Sequence, residues 1–262
     1  MSNFTHLHLH SEYSLLDGAN QIKKLAKRLK ELNIKSVALT DHGCMFGALD
    51  FYINMLKEGI KPIIGIETYI HNDEDLGSKN PLRFHLCLYA KNLTGYKNLM
   101  YLSSQAYING FYKSPRLNKK ILKEHSNGLI CSSACLQGEV NYHLNTISQR
   151  NNAKGFEYAK KVALEYQDIF GDDFYLEIMR HGILEQRFID EQIINISTQT
   201  GIKIIATNDT HYTTKKDSFS QEVLMCISTG KTLKDDNRLK HSVNEFYIKS
   251  CELIVNFYYI IN

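Results

Sequence analysis

Near the start of the chain, His6, His8 and His10 alternate with leucine in the run THLHLHSE. On an extended strand, side chains two apart share a face, so the three imidazoles point the same way. Buried imidazoles need hydrogen-bond partners or a metal, which makes three on one face poor core material. Asp209 and His211, in ATNDTHY, repeat the two-residue spacing. Other candidates close apolar runs: His42 ends SVALTDH, Glu67 ends PIIGIE, and Cys135 ends GLICSSAC. His85 lies one residue inside FHLCLYA. Several strands that each deliver a His, Asp, Glu or Cys to one rim form the pattern of a multi-metal centre. Mixed imidazole, carboxylate and thiolate donors suit zinc, manganese or iron better than magnesium, which prefers oxygen. A carboxylate such as Glu67 can bridge two ions, and ion pairs about 3.5–4 Å apart clamp the attacking and leaving oxygens of phosphoester hydrolysis. Metal-dependent amide hydrolysis or deamination is the competing chemistry.

Seven β-rich runs must position these groups: residues 4–10, 36–42, 62–70, 84–90, 128–135, 174–179 and 203–211. Amphipathic helical spacing recurs between them, at residues 21–32, 155–170 and 184–200. Such alternation implies an α/β fold of parallel strands with helical crossovers. Seven units predict a closed or nearly closed barrel, with an open doubly wound sheet as the alternative. In α/β barrels the C-terminal strand ends carry the chemistry, which is where most of the candidates fall. The expected division is a barrel domain over residues 1–219, followed by an extension over residues 220–262 that leaves it.

At 262 residues the chain is close to one α/β barrel of about 250 residues. Its 43% hydrophobic and 23% charged residues exclude a disordered chain. No run approaches the length of a membrane span, and the first ten residues lack the basic-then-apolar pattern of an export signal, so a cytoplasmic protein is expected. The six irregularly spaced cysteines then read as reduced thiols. A net charge of +3 is too small to imply nucleic-acid binding by itself.

The remaining candidates read more plainly. Asp41 is expected to cap or support its neighbours, His6 to be a buried hydrogen-bonded ring, and Cys87 and Cys131 to be core thiols. His71, His125, His143 and His241 lie in polar surroundings and read as solvated. Arg180 and His181 follow a strand end and could meet a substrate phosphate, as could Arg116 in YKSPRLN. Asp73, Glu74 and Asp75 lie in HNDEDLGSKN, a turn rather than a polymerase acidic pair.

Seven motifs resemble one family: HLHLHSEYSLLDGA (6–19), LTDHG (39–43), GIKPIIGIETYI (59–70), SACLQGEV (133–140), FYLEIMRHG (174–182), ATNDTHY (206–212) and LMCISTGKTLKDDNRL (224–239). Together they are similar to the polymerase and histidinol phosphatase (PHP) domain at the N-terminus of bacterial replicative DNA polymerase III alpha subunits. The resemblance implies a distorted seven-stranded (β/α)7 TIM-like barrel and up to nine ligands for two or three divalent ions. His8, His10, Glu67 and Asp209 would hold one ion. Glu67, His85 and Cys135 would hold a second, with Glu67 bridging. Asp17, His42 and His211 would hold a third, and Asp17, Glu67 and Asp209 would be the catalytic carboxylates. Metal-dependent phosphoesterase chemistry on DNA, as a 3′–5′ exonuclease within a replicative polymerase, is the implied function. The chain alone would not polymerise. The implied partners are DNA, the remainder of the alpha subunit and other replisome subunits, with no membrane. A catalytically silent, metal-stabilised scaffold and a stand-alone histidinol-phosphate phosphatase are the alternatives. Residues 251–262 (CELIVNFYYIIN) depart from the family pattern and read as a disordered or hydrophobic remnant.

Elemental analysis of protein never exposed to chelator is expected to find two or three transition-metal ions per chain. Less than about half an equivalent would remove the basis for a metal centre, since its ligands come from separate strands that an ion helps to hold.

Overall fold

In the first helix, Ile22, Leu25, Ala26 and Leu29 recur at helical spacing and are buried as one face. The computed structural model describes residues 4–145 and 153–259. In chain order the elements are α1 (Ile22–Glu31), β1 (Ser36–Leu39), α2 (Ala48–Lys57), β2 (Lys61–His71), β3 (Phe84–Ala90), α3 (Leu93–Ile108), β4 (Arg116–Asn118), α4 (Lys119–Glu124) and β5 (Leu129–Ser132). They continue with α5 (Glu139–Asn145), α6 (Ala153–Phe170), β6 (Phe174–Met179), α7 (Leu184–Thr200), β7 (Lys203–Thr207), α8 (Ser218–Thr229) and α9 (Cys251–Tyr259). Among the described residues, no helix is long and apolar enough to cross a membrane.

The sheet runs β1-β2-β3-β5-β6-β7, with β4 paired to β2 off this path. Two features depart from a run of parallel βα units. First, β3 is antiparallel to both β2 and β5, while the other pairs are parallel. A parallel neighbour needs a crossover, usually a helix. The polar link between β2 and β3 forms no helix, so the chain turns straight back. Second, residues 4–10 are not a regular strand, and the seventh strand is the short β4, which sequence patterning missed. Residues 6–10 span the gap between the two sheet edges through single bridges, His6 to Val37 and Leu9 to Thr210. The Ala38 amide donates to His6 O at 2.8 Å, and the His10 amide to Thr210 O at 2.8 Å. The sheet is curled, and no regular ladder closes it.

Apolar side chains pack on its outer face in two clusters. One joins β2, β3, β5 and β6 to α3, α6 and α7. The other joins β1 to α1 and α2, and includes Leu9 and Ile248. A smaller apolar cluster of Ala38, Cys87, Tyr89 and Ala134 packs beside the polar candidates, with Cys87 Sγ 3.6 Å from His8 Nδ1.

The stretch expected to leave the barrel instead returns to it. The Phe246 carbonyl accepts from the amides of His211 and Tyr212, at 2.8 and 3.2 Å. The Lys249 carbonyl lies 3.0 Å from His6 Nε2. Residues 251–259, expected to be a remnant, form α9; residues 260–262 lie outside the described ones. Ile254 is buried, and the Tyr258 hydroxyl donates to Ile178 O at 2.9 Å and Thr207 O at 3.1 Å.

Tyr258→Phe removes these bonds while keeping the ring. A loss of about 1 kcal/mol in urea-unfolding free energy is expected. An unchanged midpoint would show that α9 is not docked in this way.

Candidate metal centre

Glu67, on β2, is wholly buried, and its two oxygens collect imidazoles. Oε1 lies 3.1 Å from His8 Nε2 and 2.9 Å from His85 Nδ1. Oε2 lies 2.5 Å from His42 Nδ1 and 3.9 Å from His10 Nε2. Antiparallel β3 explains the position of His85. Its strand starts at the rim where the parallel strands end, so the second residue of β3 reaches the same site. Asp209 Oδ1 faces His8 Nε2 at 3.4 Å and His10 Nε2 at 3.2 Å. The His10 ring stacks on His42 at 3.9 Å and sits 4.5 Å from His211. Asp17 Oδ2 is 3.4 Å from His42 Nε2, at the more exposed edge. Cys135 Sγ is 3.5 Å from His85 Nδ1. All nine residues expected as ligands therefore meet on one rim.

Their grouping differs in part from the one the resemblance implies. Sets of three ligand atoms within 4.8 Å of one another include His8–His10–Asp209, as implied. His42, rather than Cys135, joins Glu67 and His85, and His10, rather than Asp17, joins His42 and His211. A further set, His8–Glu67–Cys87, draws in a thiol expected to be core.

The backbone around the site is held by polar contacts and carries strain. Asp41 accepts from Ser11 N at 2.6 Å, Ser11 Oγ at 2.8 Å and Ser14 Oγ at 2.7 Å, the supporting role expected of it. Asp209 has φ +39° and Ala134, beside Cys135, φ +58°. A non-glycine residue held there costs of order 1–3 kcal/mol and persists only where its surroundings enforce it.

Charge is the dominant force. Burial pushes the Glu67 carboxyl up, but His85 and His42 hold it well below the usual carboxylate range. Asp209 is likewise raised by burial and held well down by His8 and His211. Burial opposes the charged form of His42, yet Glu67 and Asp17 raise it to about 10. Burial lowers His10 to about 3, aided by the positive charge of His42 and His211. His10 Nε2, His42 Nε2 and Asp209 Oδ1 are buried and face charged groups at 3.2–3.4 Å without forming a regular hydrogen bond. Nitrogen and carboxylate atoms of this kind, converging on shared space, fit divalent cations of the zinc, manganese or iron type.

A cavity of about 450 Å³ opens over the cluster, lined by Asp17, His42, Glu67, His85, Asp209 and His211, with Arg83, Lys240 and His241 among its other walls. Sequence reading missed several of these. His241, expected to be solvated, packs on Phe246 at 4.3 Å and lies 5.2 Å from His211. Only the return of the C-terminal stretch brings it there, so no local signal exists. Glu177, whose carboxylate lies 2.8 Å from His8 Nδ1, had one: it is the single acid inside FYLEIM. His71, also expected to be solvated, is buried.

The three expected phosphate contacts lie outside the cavity lining. Arg116 is buried and donates to the carbonyls of Gly110, Asn80 and Ser78. Arg180 pairs with Asp190 at 2.8 Å and donates to Tyr258 O at 2.8 Å. His181 is buried between Asn208 O and the Gln186 side chain, at 2.9 and 2.7 Å. Their polar atoms are engaged within the fold.

A curled α/β sheet with a His- and carboxylate-lined rim defines a class, and comparison with known families agrees. Residues 6–181 match the PHP domain family, and the chain belongs to it. It is 71% identical over 253 residues to DNA polymerase III subunit alpha of Helicobacter pylori (strain ATCC 700392 / 26695), a match covering 95% of this chain and 21% of that protein. The same subunit of Thermus aquaticus is 40% identical over 256 residues, covering 95% and 20%. The chain thus spans about a fifth of the length of the curated relatives it matches. Among solved structures, an amidohydrolase from Chromobacterium violaceum superposes with a TM-score of 0.52 at 13% identity, covering 79% of this chain and 87% of that one. A candidate metal-dependent phosphoesterase from Bifidobacterium adolescentis gives 0.50 at 14%, covering 80% and 88%. At such identities the likeness concerns the fold alone.

His6 lies beneath the cluster, with burial lowering it from 6.5 to about 4. An imidazole kept neutral in the folded state contributes fully above pH 6.5. Its contribution, about 3 kcal/mol at most, is lost as pH falls from 6.5 toward 4, because only the unfolded chain takes up the proton there. Ring titration by NMR is expected to show His6 neutral down to about pH 4. A midpoint near 6.5 would contradict this.

Proposed function

We propose that the chain is the metal-binding PHP domain of a bacterial DNA polymerase III alpha subunit and removes nucleotides from DNA 3′ ends by phosphodiester hydrolysis. The observation that carries this reading is the convergence of buried His10, His42 and Asp209 atoms that form no regular hydrogen bond beneath an open cavity. Identity of 71% across 95% of the chain supports the assignment to a polymerase rather than to a stand-alone phosphatase.

Zinc, manganese or iron is the proposed cofactor, at two or three ions. In the grouping the resemblance implies, His8, His10, Glu67 and Asp209 would hold one; Glu67, His85 and Cys135 a second; Asp17, His42 and His211 a third. Ions bound there would supply the positive charge that activates water near neutral pH and neutralises charge developing on phosphate. Glu67, with an oxygen facing each side of the cluster, sets the spacing between sites. Asp17, at the solvent edge, accepts a hydrogen bond from Gln221 Nε2 at 3.3 Å, which would orient it toward the third site. Arg83 and Lys240 bring positive charge to the cavity wall, where a DNA phosphate would enter.

In this reading residues 1–219 form a distorted (β/α)7 barrel domain, and residues 220–262 a C-terminal extension toward the polymerase body, of which Phe246, Lys249 and Tyr258 contact the barrel. DNA, the rest of the alpha subunit and other replisome subunits are the partners, in the bacterial cytoplasm.

His10→Ala removes one donor and leaves the backbone bridge to Thr210 intact. A loss of nuclease turnover on 3′-labelled single-stranded DNA of about 10²-fold or more is expected, since small displacements of reacting groups cost that much. Metal content should fall with it. His125→Ala, whose ring packs on Tyr101 at 4.2 Å away from the cavity, should change neither. Unchanged metal content and turnover in His10→Ala would end the ligand assignment. Metal lost from a protein that never showed turnover would instead leave the cluster as a structural centre.

A further inference from the structure

Glu177 lies on β6 and is buried, yet it is none of the nine expected ligands. The two neighbouring strands grip its carboxylate. From β5, the Ser132 hydroxyl donates to Oε2 at 2.5 Å; from β7, the Thr207 hydroxyl donates to Oε1 at 2.5 Å. Its own amide donates to Ser133 Oγ at 2.9 Å. The third group on the carboxylate is His8 Nδ1, 2.8 Å from Oε1.

Resting on the metal-centre reading above, we propose that Glu177 is the positioning residue for His8: its carboxylate holds the proton on Nδ1 and so presents Nε2 as the metal-binding atom. An ionised carboxylate only accepts, so the nitrogen facing it must donate. A neutral imidazole with its proton on Nδ1 has its lone pair on Nε2. That atom faces the cluster, 3.1 Å from Glu67 Oε1 and 3.4 Å from Asp209 Oδ1. Cys87 Sγ, 3.6 and 3.7 Å from the two ring nitrogens, restricts rotation of the ring. Carboxylate–histidine–metal relays of this kind fix the ring and raise its basicity, and their loss typically weakens metal affinity 10–100-fold.

The test uses the 262-residue chain, zinc-loaded and 15N-labelled. In the unaltered protein, His8 should carry a slowly exchanging, downfield proton on Nδ1. In Glu177→Gln the bond becomes neutral, so that resonance should move upfield and zinc affinity should fall 10–100-fold. His125→Ala, whose ring packs on Tyr101 away from the cluster, should leave the His8 resonance and zinc affinity unchanged. A folded Glu177→Gln protein with the original resonance and affinity would overturn the inference. So would a proton on Nε2 of His8 in the unaltered protein, a result that needs no variant to fold. Should His10→Ala lose zinc while Glu177→Gln keeps it, this inference fails alone; should His10→Ala keep all its zinc, the metal-centre reading fails as well.

Discussion

A carboxylate with no exposure to water must be neutralised, and the molecule is built around doing this for Glu67. Removing a carboxylate from water costs several kcal/mol unless opposite charge and hydrogen bonds replace the lost hydration. Three imidazoles lie within about 3 Å of its two oxygens. They come from the N-terminal segment, from the turn after β1 and from the start of β3. Each of those segments must therefore end at one point, and the curl of the sheet follows from that requirement.

The same constraint ties together the ends of the described chain. His6 meets the Lys249 carbonyl, His211 meets the Phe246 carbonyl, and residues 6–10 sit between β1 and the end of β7. The contacts of His6 with Lys249 and of His10 with Thr210 cross most of the sequence, and closing such long loops costs entropy that these contacts must offset. The apolar clusters around α1, α3, α6 and α7 provide the scaffold beside which the polar centre sits.

Much of the centre was legible because its residues break the local pattern. An imidazole at every second position, or an acid directly after PIIGI, contradicts burial unless something else compensates. Such contradictions identified His8, His10, Glu67 and Asp209. Asp17 carried no such signal and came only from family resemblance. What could not be read depends on the path of the chain in space. Nothing in FHLCLYA reveals that β3 runs backward, and Arg-Leu-Asn is too short to register as β4. His241 looks like any loop histidine until the C-terminal stretch returns. Arg116 and His181 show the converse: polar side chains at strand ends look available for ligands, but carbonyl groups consume them.

The reversal of β3 also separates the entrance of the site from its interior. Because β2 ends and β3 begins at the same rim, the connection between them overhangs the entrance instead of crossing the outer face. Its final residue, Arg83, lines the cavity, and Arg116 clamps its middle through Ser78 and Asn80. The width and charge of the doorway thus depend on a connection that Arg116 clamps from outside the cavity, while the candidate ligands are carried by the sheet and its edges.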